Sequence, residues 1–440
     1  MLVRFSISNF RSILDKQTLD MRGVSAYSEL PHHLIDRETS HYAEPLVKSM
    51  AIYGANASGK SNLIKGLSLM QDIVNNSMAM SGDKSPLLGI VPFSFSQEQR
   101  SAPTEFEIEV IIENQVFQYG FKATRQRIVE EWLFVTPLDK QRAKAAKWFH
   151  RVMDEYAPKS ALFKGNVKTW QANTRPDTLF LTAAVAGNSE MLAHLHKWLV
   201  FNVWVVGDLS QKTRMYARFT SDSIRALTTE EELIDSLLPA TKKMRSENKV
   251  NVLAFMKELD CGQDIVDIVV KKIADTNPNN GNSVLASNSS SELSETYFLH
   301  QTLDSEQPPF ALPLEEESRG TQALYALAML YLWMIKLNLF VVVDELDSSL
   351  HPLLMRGLIQ RFHKDAQQAQ MIFTTHDVSV LSQEILRRDQ VLLINKENQK
   401  TQLSPLSDFA VRQNESLEKG YLAGRYGGIP RIAQQFDWDK

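Results

Sequence analysis

The sequence predicts an α/β fold: a mixed sheet with flanking helices, an antiparallel β subdomain beside it, and a mainly helical insertion. Three stretches predict the sheet, each a short apolar run that ends in polar residues. The first is Ser49-Met-Ala-Ile-Tyr53, followed at once by Gly54-Ala-Asn-Ala-Ser-Gly-Lys-Ser61 and a helix-like stretch from Asn62 to Asn75. The second is Leu339-Phe-Val-Val-Val, ending in Asp344 and Glu345; the third is Met371-Ile-Phe-Thr-Thr, ending in His376 and Asp377. Continuous apolar runs of this length suit parallel strands buried on both faces. Open sheets of that kind bind ligands at the carboxyl ends of their strands, where these polar residues fall.

Gly54 to Ser61 reads G-x-x-x-x-G-K-S in the strand–loop–helix context that a phosphate-binding loop requires. Glycines at 54 and 59 permit the tight turn that aims successive N–H groups at phosphate oxygens. Lys60 is then placed to reach β- and γ-phosphates, and the Ser61 hydroxyl to take a Mg²⁺ site. The expected cofactors are ATP and Mg²⁺, although spacing alone does not separate ATP from GTP. Asp344 is expected to hold the Mg²⁺ shell and Glu345 to polarise an attacking water.

Along the rest of the chain, Met1-Leu-Val-Arg-Phe alternates like a strand and lacks the long apolar core of a signal peptide. Thr104 to Ile112 and Val116 to Phe121 alternate with period two around Glu113-Asn114-Gln115, which reads as a hairpin. From Asp139 to Leu259 the pattern is mostly helical. Ser189 precedes a helix reaching Leu199, a strand-like Val200–Val206 follows, and Thr229-Glu-Glu-Glu232 opens a helix that Pro239 stops. Lys140, Lys144, Lys147 and Arg151 share one helical face beside Trp148 and Phe149. Such a face is either simply solvated or a contact for phosphate backbones or acidic partners. Lys242, Lys243, Arg245 and Lys249 form a weaker cluster of the same kind. Asp275 to Ser294, around Asn-Pro-Asn-Asn-Gly-Asn, reads as a hairpin tip. Ala323 to Ile335 is apolar throughout but too short to span a membrane, and reads as a buried helix feeding the second strand. A net charge of −4 argues against a surface that coats nucleic acid throughout. The single cysteine, Cys261, excludes an internal disulfide framework and a cysteine-cluster metal site. A cytoplasmic protein is expected.

The order of these motifs resembles the ABC-type ATPase head, in the branch of RecF, the SMC proteins and the OLD-like ATPases. Gly54-x-Asn56-x-x-Gly59-Lys60-Ser61-Asn62 resembles that branch's Walker A. Val3 to Ser12, with its Asn9-Phe10-Arg11-Ser12 turn, resembles its opening strand, which would bring Arg11 toward the nucleotide. Asp344-Glu-Leu-Asp347-Ser-Ser-Leu-His351-Pro352 resembles the joined Walker B and D-loop, and His376 falls at the H-switch. Glu317-Ser318-Arg319-Gly320-Thr321-Gln322 resembles the signature, with Arg319 in place of a glycine and Thr321 in place of the usual Gln or Glu. The Q-loop has no distinct pattern, although Gln97 and Gln99 lie in the right region.

The resemblance implies a head in two parts, residues 1–138 and 260–440, with an insertion at 139–259. It implies a homodimer or higher oligomer with nucleotide at the interface, gripped by one copy's Walker A and the other's Ser318 and Gly320. Glu345 would act as the base and His376 would contact the γ-phosphate beside Lys60. Asp347 would couple the two sites, or else merely cap the helix at Pro352. The Lys419-Gly-Tyr-Leu-Ala-Gly-Arg-Tyr-Gly-Gly-Ile-Pro430 strip resembles the ending of OLD-like proteins without a fused Toprim nuclease. It is either a docked tail or a surface for a partner or for the nucleotide. These features imply the ATPase of a two-gene anti-phage system, of the PARIS or abortive-infection type, working on a separate nuclease or toxin. A DNA-clamping ATPase and an ATP-gated scaffold stay open as alternatives, and nucleic acid stays open as a partner; a membrane is not expected.

Overall fold

The computed structural model describes residues 1–36, 42–138, 144–157, 163–207, 252–259, 262–273, 293–304, 306–348, 350–411 and 415–430. The chain opens with β1 (Leu2–Ser8), β2 (Gln17–Asp20), the short pair β3 (Leu34–Ile35) and β4 (Leu46–Val47), β5 (Ser49–Gly54) and α1 (Lys60–Asn76). Then come β6 (Thr104–Ile112), β7 (Gln115–Ala123), β8 (Ile128–Pro137), β9 (Ala146–Val152), β10 (Glu155–Tyr156), α2 (Val167–Asn173), α3 (Phe180–Ala186), α4 (Glu190–Lys197) and β11 (Val203–Val206). The remainder holds β12 (Ile265–Ile273), β13 (Leu293–His300), β14 (Phe310–Pro313), α5 (Arg319–Leu337), β15 (Phe340–Val343), α6 (Pro352–Asp365), β16 (Gln370–Thr374), β17 (Val391–Glu397), β18 (Lys400–Pro405) and α7 (Leu417–Leu422).

Two compact units divide the chain. One comprises Met1–Gly207, Met334–Asp347 and Leu358–Lys440; the other comprises Asp208–Trp333 and Ser348–Gly357. The first break between these units falls between Gly207 and Asp208. The first unit holds a six-stranded sheet in the order β11-β15-β16-β5-β17-β18, parallel except for β18. The three strands read from sequence are its centre, and every residue of β5, β15 and β16 is buried. Burial on both faces explains the unbroken apolar runs. Leu63, Ile64, Leu67, Met70, Ile73 and Val74 recur at helical spacing along α1 and share one core with Ile52, Phe340, Ile372 and Leu392. Each such side chain contributes about 1.5–3 kcal/mol by leaving water.

The same unit holds a seven-stranded antiparallel sheet, β10-β9-β8-β7-β6-β1-β2. Its β6–β7 turn is the hairpin the alternation predicts, with Glu113 and Asn114 at φ 46° and 60°. The helical reading from Asp139 fails at residues 146–156, which form β9 and β10 on this sheet. Lys147 and Arg151 therefore share no helical face, and Trp148 and Phe149 are core residues. Arg151 is 1% exposed and donates to Thr178 O at 2.8 Å and Met153 O at 2.6 Å. Lys140, the 242–249 cluster, Thr229–Pro239, the Asn-Pro-Asn-Asn-Gly-Asn tract and Cys261 lie outside the described residues. The second unit carries the antiparallel sheet β12-β13-β14. Among the described residues, no helix is long and apolar enough to cross a membrane.

Two buried polar clusters fix this frame. Glu131, on β8, is fully buried and accepts from Phe180 N at 2.7 Å, Leu181 N at 3.0 Å and Tyr119 OH at 3.0 Å, with Arg151 Nη1 3.8 Å away. It thus satisfies free N–H groups at the start of α3 from a distant strand. Beneath β5, Ser49 Oγ meets His363 Nε2 at 2.8 Å, and Gln390 bridges to His33 Nδ1 at 2.8 Å. The His33 and His363 rings stack at 3.5 Å. Burial lowers the His33 pKa to about 4 and holds His363 well below its ordinary value.

Glu131→Ala should cost about 3–5 kcal/mol, read as a lower urea midpoint, because Arg151 loses its buried carboxylate and keeps only the exposed Asp154, 3.7 Å away. The histidine pair sets an acid limit. The unfolded chain binds protons below about pH 6.5 that the folded His33 refuses until about pH 4, so stability falls as pH drops through that window. The melting temperature should fall between pH 7 and pH 5, and His33→Gln should shrink that fall.

Candidate nucleotide site

β5 ends at Gly54, where a side chain would start 2.7 Å from both Ser58 Oγ and Ile394 O. The loop then turns through Ala57 at φ 61° and Gly59 at φ 115°. A side chain at Gly59 would strike Thr401, so glycine is required there by both conformation and space. α1 starts at Lys60, and its first N–H groups are free for an anion. Lys60 is buried and curls back over the loop, donating to Gly54 O at 2.7 Å and Ala55 O at 3.3 Å. Burial lowers its pKa, and Asp344, Glu345 and Asp347 oppose that shift. Asn56 is exposed at the tip, Ser61 is half-buried, and Ser58 Oγ is buried without a partner among the described residues.

A relay behind the loop holds this shape. Asn62 Nδ2 donates to Ser12 Oγ at 2.7 Å, Ser12 Oγ and Thr401 Oγ1 lie 2.7 Å apart, and Thr401 Oγ1 donates to Ser58 O at 2.8 Å. One hydroxyl proton per residue orders the chain from Asn62 through Ser12 and Thr401 to the loop carbonyl. Asn62 thus braces the loop from its own helix. Thr401 was invisible in sequence, since a threonine in an edge strand carries no signal. Arg11 sits at φ 52° with its guanidinium 5.5 Å over the Phe10 ring. With Lys65, Ser68 and Asp72 it lines an open cleft of about 700 Å³ along α1. Asn9 donates to Gln99 O at 3.0 Å and Ala102 O at 2.9 Å, which ties the Gln97–Gln99 region to the opening strand.

The acidic side comes from β15 and β16. Thr374, at the end of β16, donates to Asp344 Oδ1 at 2.6 Å and accepts from Glu345 N at 2.7 Å. Glu345 is exposed and held at φ 55°. Asp347 Oδ2 accepts from His376 N at 3.0 Å, so this carboxylate joins the turn after β15 to the end of β16. The first turn of α6 is instead met by His351, whose Nδ1 accepts from Leu353 N at 3.3 Å. His376 is exposed; desolvation by nearby protein and then the Lys60 cation lower its pKa. Lys60, Asp344, Glu345, Asp347 and His376 therefore gather at the carboxyl ends of three neighbouring strands, β5, β16 and β15.

A family model described as "AAA domain, putative AbiEii toxin, Type IV TA system" matches residues 49–143 and 217–382, more than half of the chain. The chain belongs to this AAA-domain family. Its fold is that of an ABC-type P-loop ATPase head, and β16 lies between β5 and β15. Among solved structures, this AAA-domain chain is similar to an SMC head bound to the C-winged helix domain of ScpA, at 14% identity over 92% of this chain and 97% of that one, with a TM-score of 0.48. It is also similar to the SMC head domain from Thermotoga maritima (13%, 92% and 98%, TM-score 0.41). A third is an SMC head with an extended coiled coil, bound to the C-terminal domain of ScpA, from Pyrococcus furiosus (13%, 96% and 98%, TM-score 0.43). No curated protein matches the chain.

In the second unit of this AAA-domain protein, Ser318 caps α5, its Oγ accepting from Thr321 N at 3.1 Å. Ser318, Arg319 and Gly320 are exposed, at a helix N-terminus whose dipole favours an anion. The C-terminal strip docks beside the P-loop strand. Tyr421 packs edge-on to Tyr53 at 5.5 Å and donates to Gly428 O at 2.9 Å, and Gly428 N donates to Asn395 Oδ1. A side chain at Gly428 would start 3.7 Å from Gly54 Cα. The strip is thus docked against β5 and β17, with Gly428 close to Gly54.

Thr401→Val should leave the Ser58 carbonyl unbonded and cost about 1–3 kcal/mol, the usual penalty for an orphaned buried acceptor. Titration with a fluorescent ATP analogue should show weaker binding, with the circular dichroism spectrum unchanged.

Proposed function

We propose that this chain binds MgATP at the Gly54–Ser61 loop and hydrolyses it. The observation that supports this most is the convergence of Lys60, Asp344, Glu345 and His376 on three adjacent strand ends. The residues present fit a magnesium–polyphosphate group. A loop that no side chain at Gly54 or Gly59 would tolerate offers backbone donors, and a buried lysine lies over it. Among the described residues, no group of three His, Cys, Asp or Glu could hold a metal alone. Mg²⁺ typically binds through one or two protein ligands plus substrate phosphates, which is what Ser61 and Asp344 supply.

Backbone N–H groups and Lys60 neutralise the β- and γ-phosphates, with Gly54, Asn56, Gly59 and Asn62 shaping the cradle and Arg11 at its flank. Bound Mg²⁺ would add charge neutralisation at the transferred phosphoryl group. Glu345 orients the attacking water and accepts its proton, while His376 contacts the γ-phosphate. Ser318 and Gly320 of a second copy complete the site, so ATP draws two copies together. Asp347 carries the state of the H-switch strand into the turn that precedes the partner-facing segment.

The family description names a toxin of a TA system. On our reading this chain is the ATP-driven switch of an anti-phage system, and a separate nuclease or toxin delivers the output. The DNA-clamping alternative loses its helical basic face, because Lys147 and Arg151 lie on a strand and Arg151 is buried.

Steady-state ATP hydrolysis by wild type and Glu345→Gln, on protein of measured mass, tests the proposal. Turnover should fall by two orders of magnitude or so in the variant, within the range found when a group that acts in proton transfer is lost. Equal turnover in both would remove Glu345 from the chemistry. Binding without turnover in either would favour an ATP-gated scaffold, for which Lys60→Ala but not Glu345→Gln should abolish activity in cells.

A further inference from the structure

The geometry points to Thr374 as a positioning residue whose single hydroxyl sets both halves of the hydrolytic site, the metal carboxylate of Asp344 and the backbone of Glu345. This inference rests on the ATPase reading of the site, and it adds a residue to which no motif assigns a role. Thr374 is fully buried at the last position of β16. Its Oγ1 accepts from Glu345 N at 2.7 Å and donates to Asp344 Oδ1 at 2.6 Å. A hydroxyl has one proton to give, so acceptance from the amide directs that proton onto Asp344. Asp344 is then engaged through Oδ1, and Oδ2 is left for a metal or for water on the metal. The Thr374 carbonyl also accepts from Leu346 N at 3.1 Å, so three consecutive residues of the Walker B turn are bonded to one residue of the neighbouring strand.

Glu345 gives this arrangement its consequence. Its φ of 55° is the left-handed region, which a side chain other than glycine's disfavours and which surrounding bonds must hold. The amide that Thr374 captures belongs to Glu345 itself. Losing that bond frees the residue whose carboxylate must meet the water, and the same loss frees the carboxylate that must meet the metal. The neighbouring Thr375 takes no part in the turn; its hydroxyl accepts from Asp377 N at 3.0 Å.

The test compares Thr374→Val, which keeps the shape without the hydroxyl, with Thr374→Ser, which keeps the hydroxyl. Each full-length variant is assayed for ATP hydrolysis and for the Mg²⁺ midpoint of binding to a fluorescent, non-hydrolysable ATP analogue. Thr374→Val should lower kcat and raise the Mg²⁺ midpoint by about 10–100-fold each, as losing a group that orients a metal ligand does, while Mg²⁺-free binding stays unchanged and Thr374→Ser stays within about threefold of wild type. Thr374→Ala, which removes crowding, is held to the same expectation where the valine variant does not fold. A valine or alanine variant that matches wild type in both readouts overturns the assignment. So does a serine variant that falls as far as valine, since the hydroxyl would then not be what matters. If wild type binds nucleotide but does not hydrolyse it, the ATPase reading fails on its own. The shift in Mg²⁺ midpoint then still decides for Thr374 or against it.

Discussion

The placement of β16 between β15 and β5 is the constraint from which the site follows. All three strands are buried on both faces, so their side chains are apolar until the strands emerge. Polar groups can appear only at the ends, and parallel pairing puts all three carboxyl ends on one edge. A lysine from the loop after β5, two acids after β15 and a histidine after β16 then meet without any long side chain having to reach. The charges oppose one another across this edge, which offsets part of the cost of burying Lys60.

The loop itself is not held by its own residues. Its left-handed turns at Ala57 and Gly59 are locally unfavourable for all but glycine, and the brace that holds them comes from elsewhere in the chain. Ser12 lies in the opening turn and Thr401 in β18, nearly four hundred positions later, yet a bond of 2.7 Å joins their hydroxyls beneath the loop. A relay of neutral hydroxyls suits this place. It is buried, fully paired, and adds no charge that would compete with phosphate.

How much was legible in sequence follows the same division between local and distant. The loop, the three strand ends and the β6–β7 hairpin each rest on contiguous residues, and the structure has them where the sequence puts them. Of the candidate residues, Lys60, Asp344, Glu345, Asp347 and His376 come together, while Ser318 and Gly320 lie in the other unit. The misreading at Lys147 and Arg151 has a specific cause. Their spacing fits one helical face, but the deciding contacts are with β8, where Arg151 meets Glu131 and a register shift sets Lys147 opposite Phe134. A buried ion pair between strands leaves no periodic trace. Thr374 and Thr401 escaped for the same reason, because their partners are remote.

The site is consequently a property of the whole first unit. Its parts come from the opening strand, from the loop after β5, from residues 344–376 and from β18, and the tail reaches Gly54 once more through Gly428. None of these segments can take its working conformation alone, since the left-handed residues at 57, 59 and 345 need bonds from the others. Closing such long loops costs entropy before any contact repays it, so the phosphate cradle and the acidic edge should form together, late, and only when the unit is complete. That coupling gives the C-terminal strip its physical meaning. Tyr421 and Gly428 fasten the end of the described chain to the strand that carries the P-loop, and Tyr53, in contact with Tyr421, donates to the carbonyl of Asp377 beside His376. One residue, Tyr53, thus joins the tail to the turn after β16.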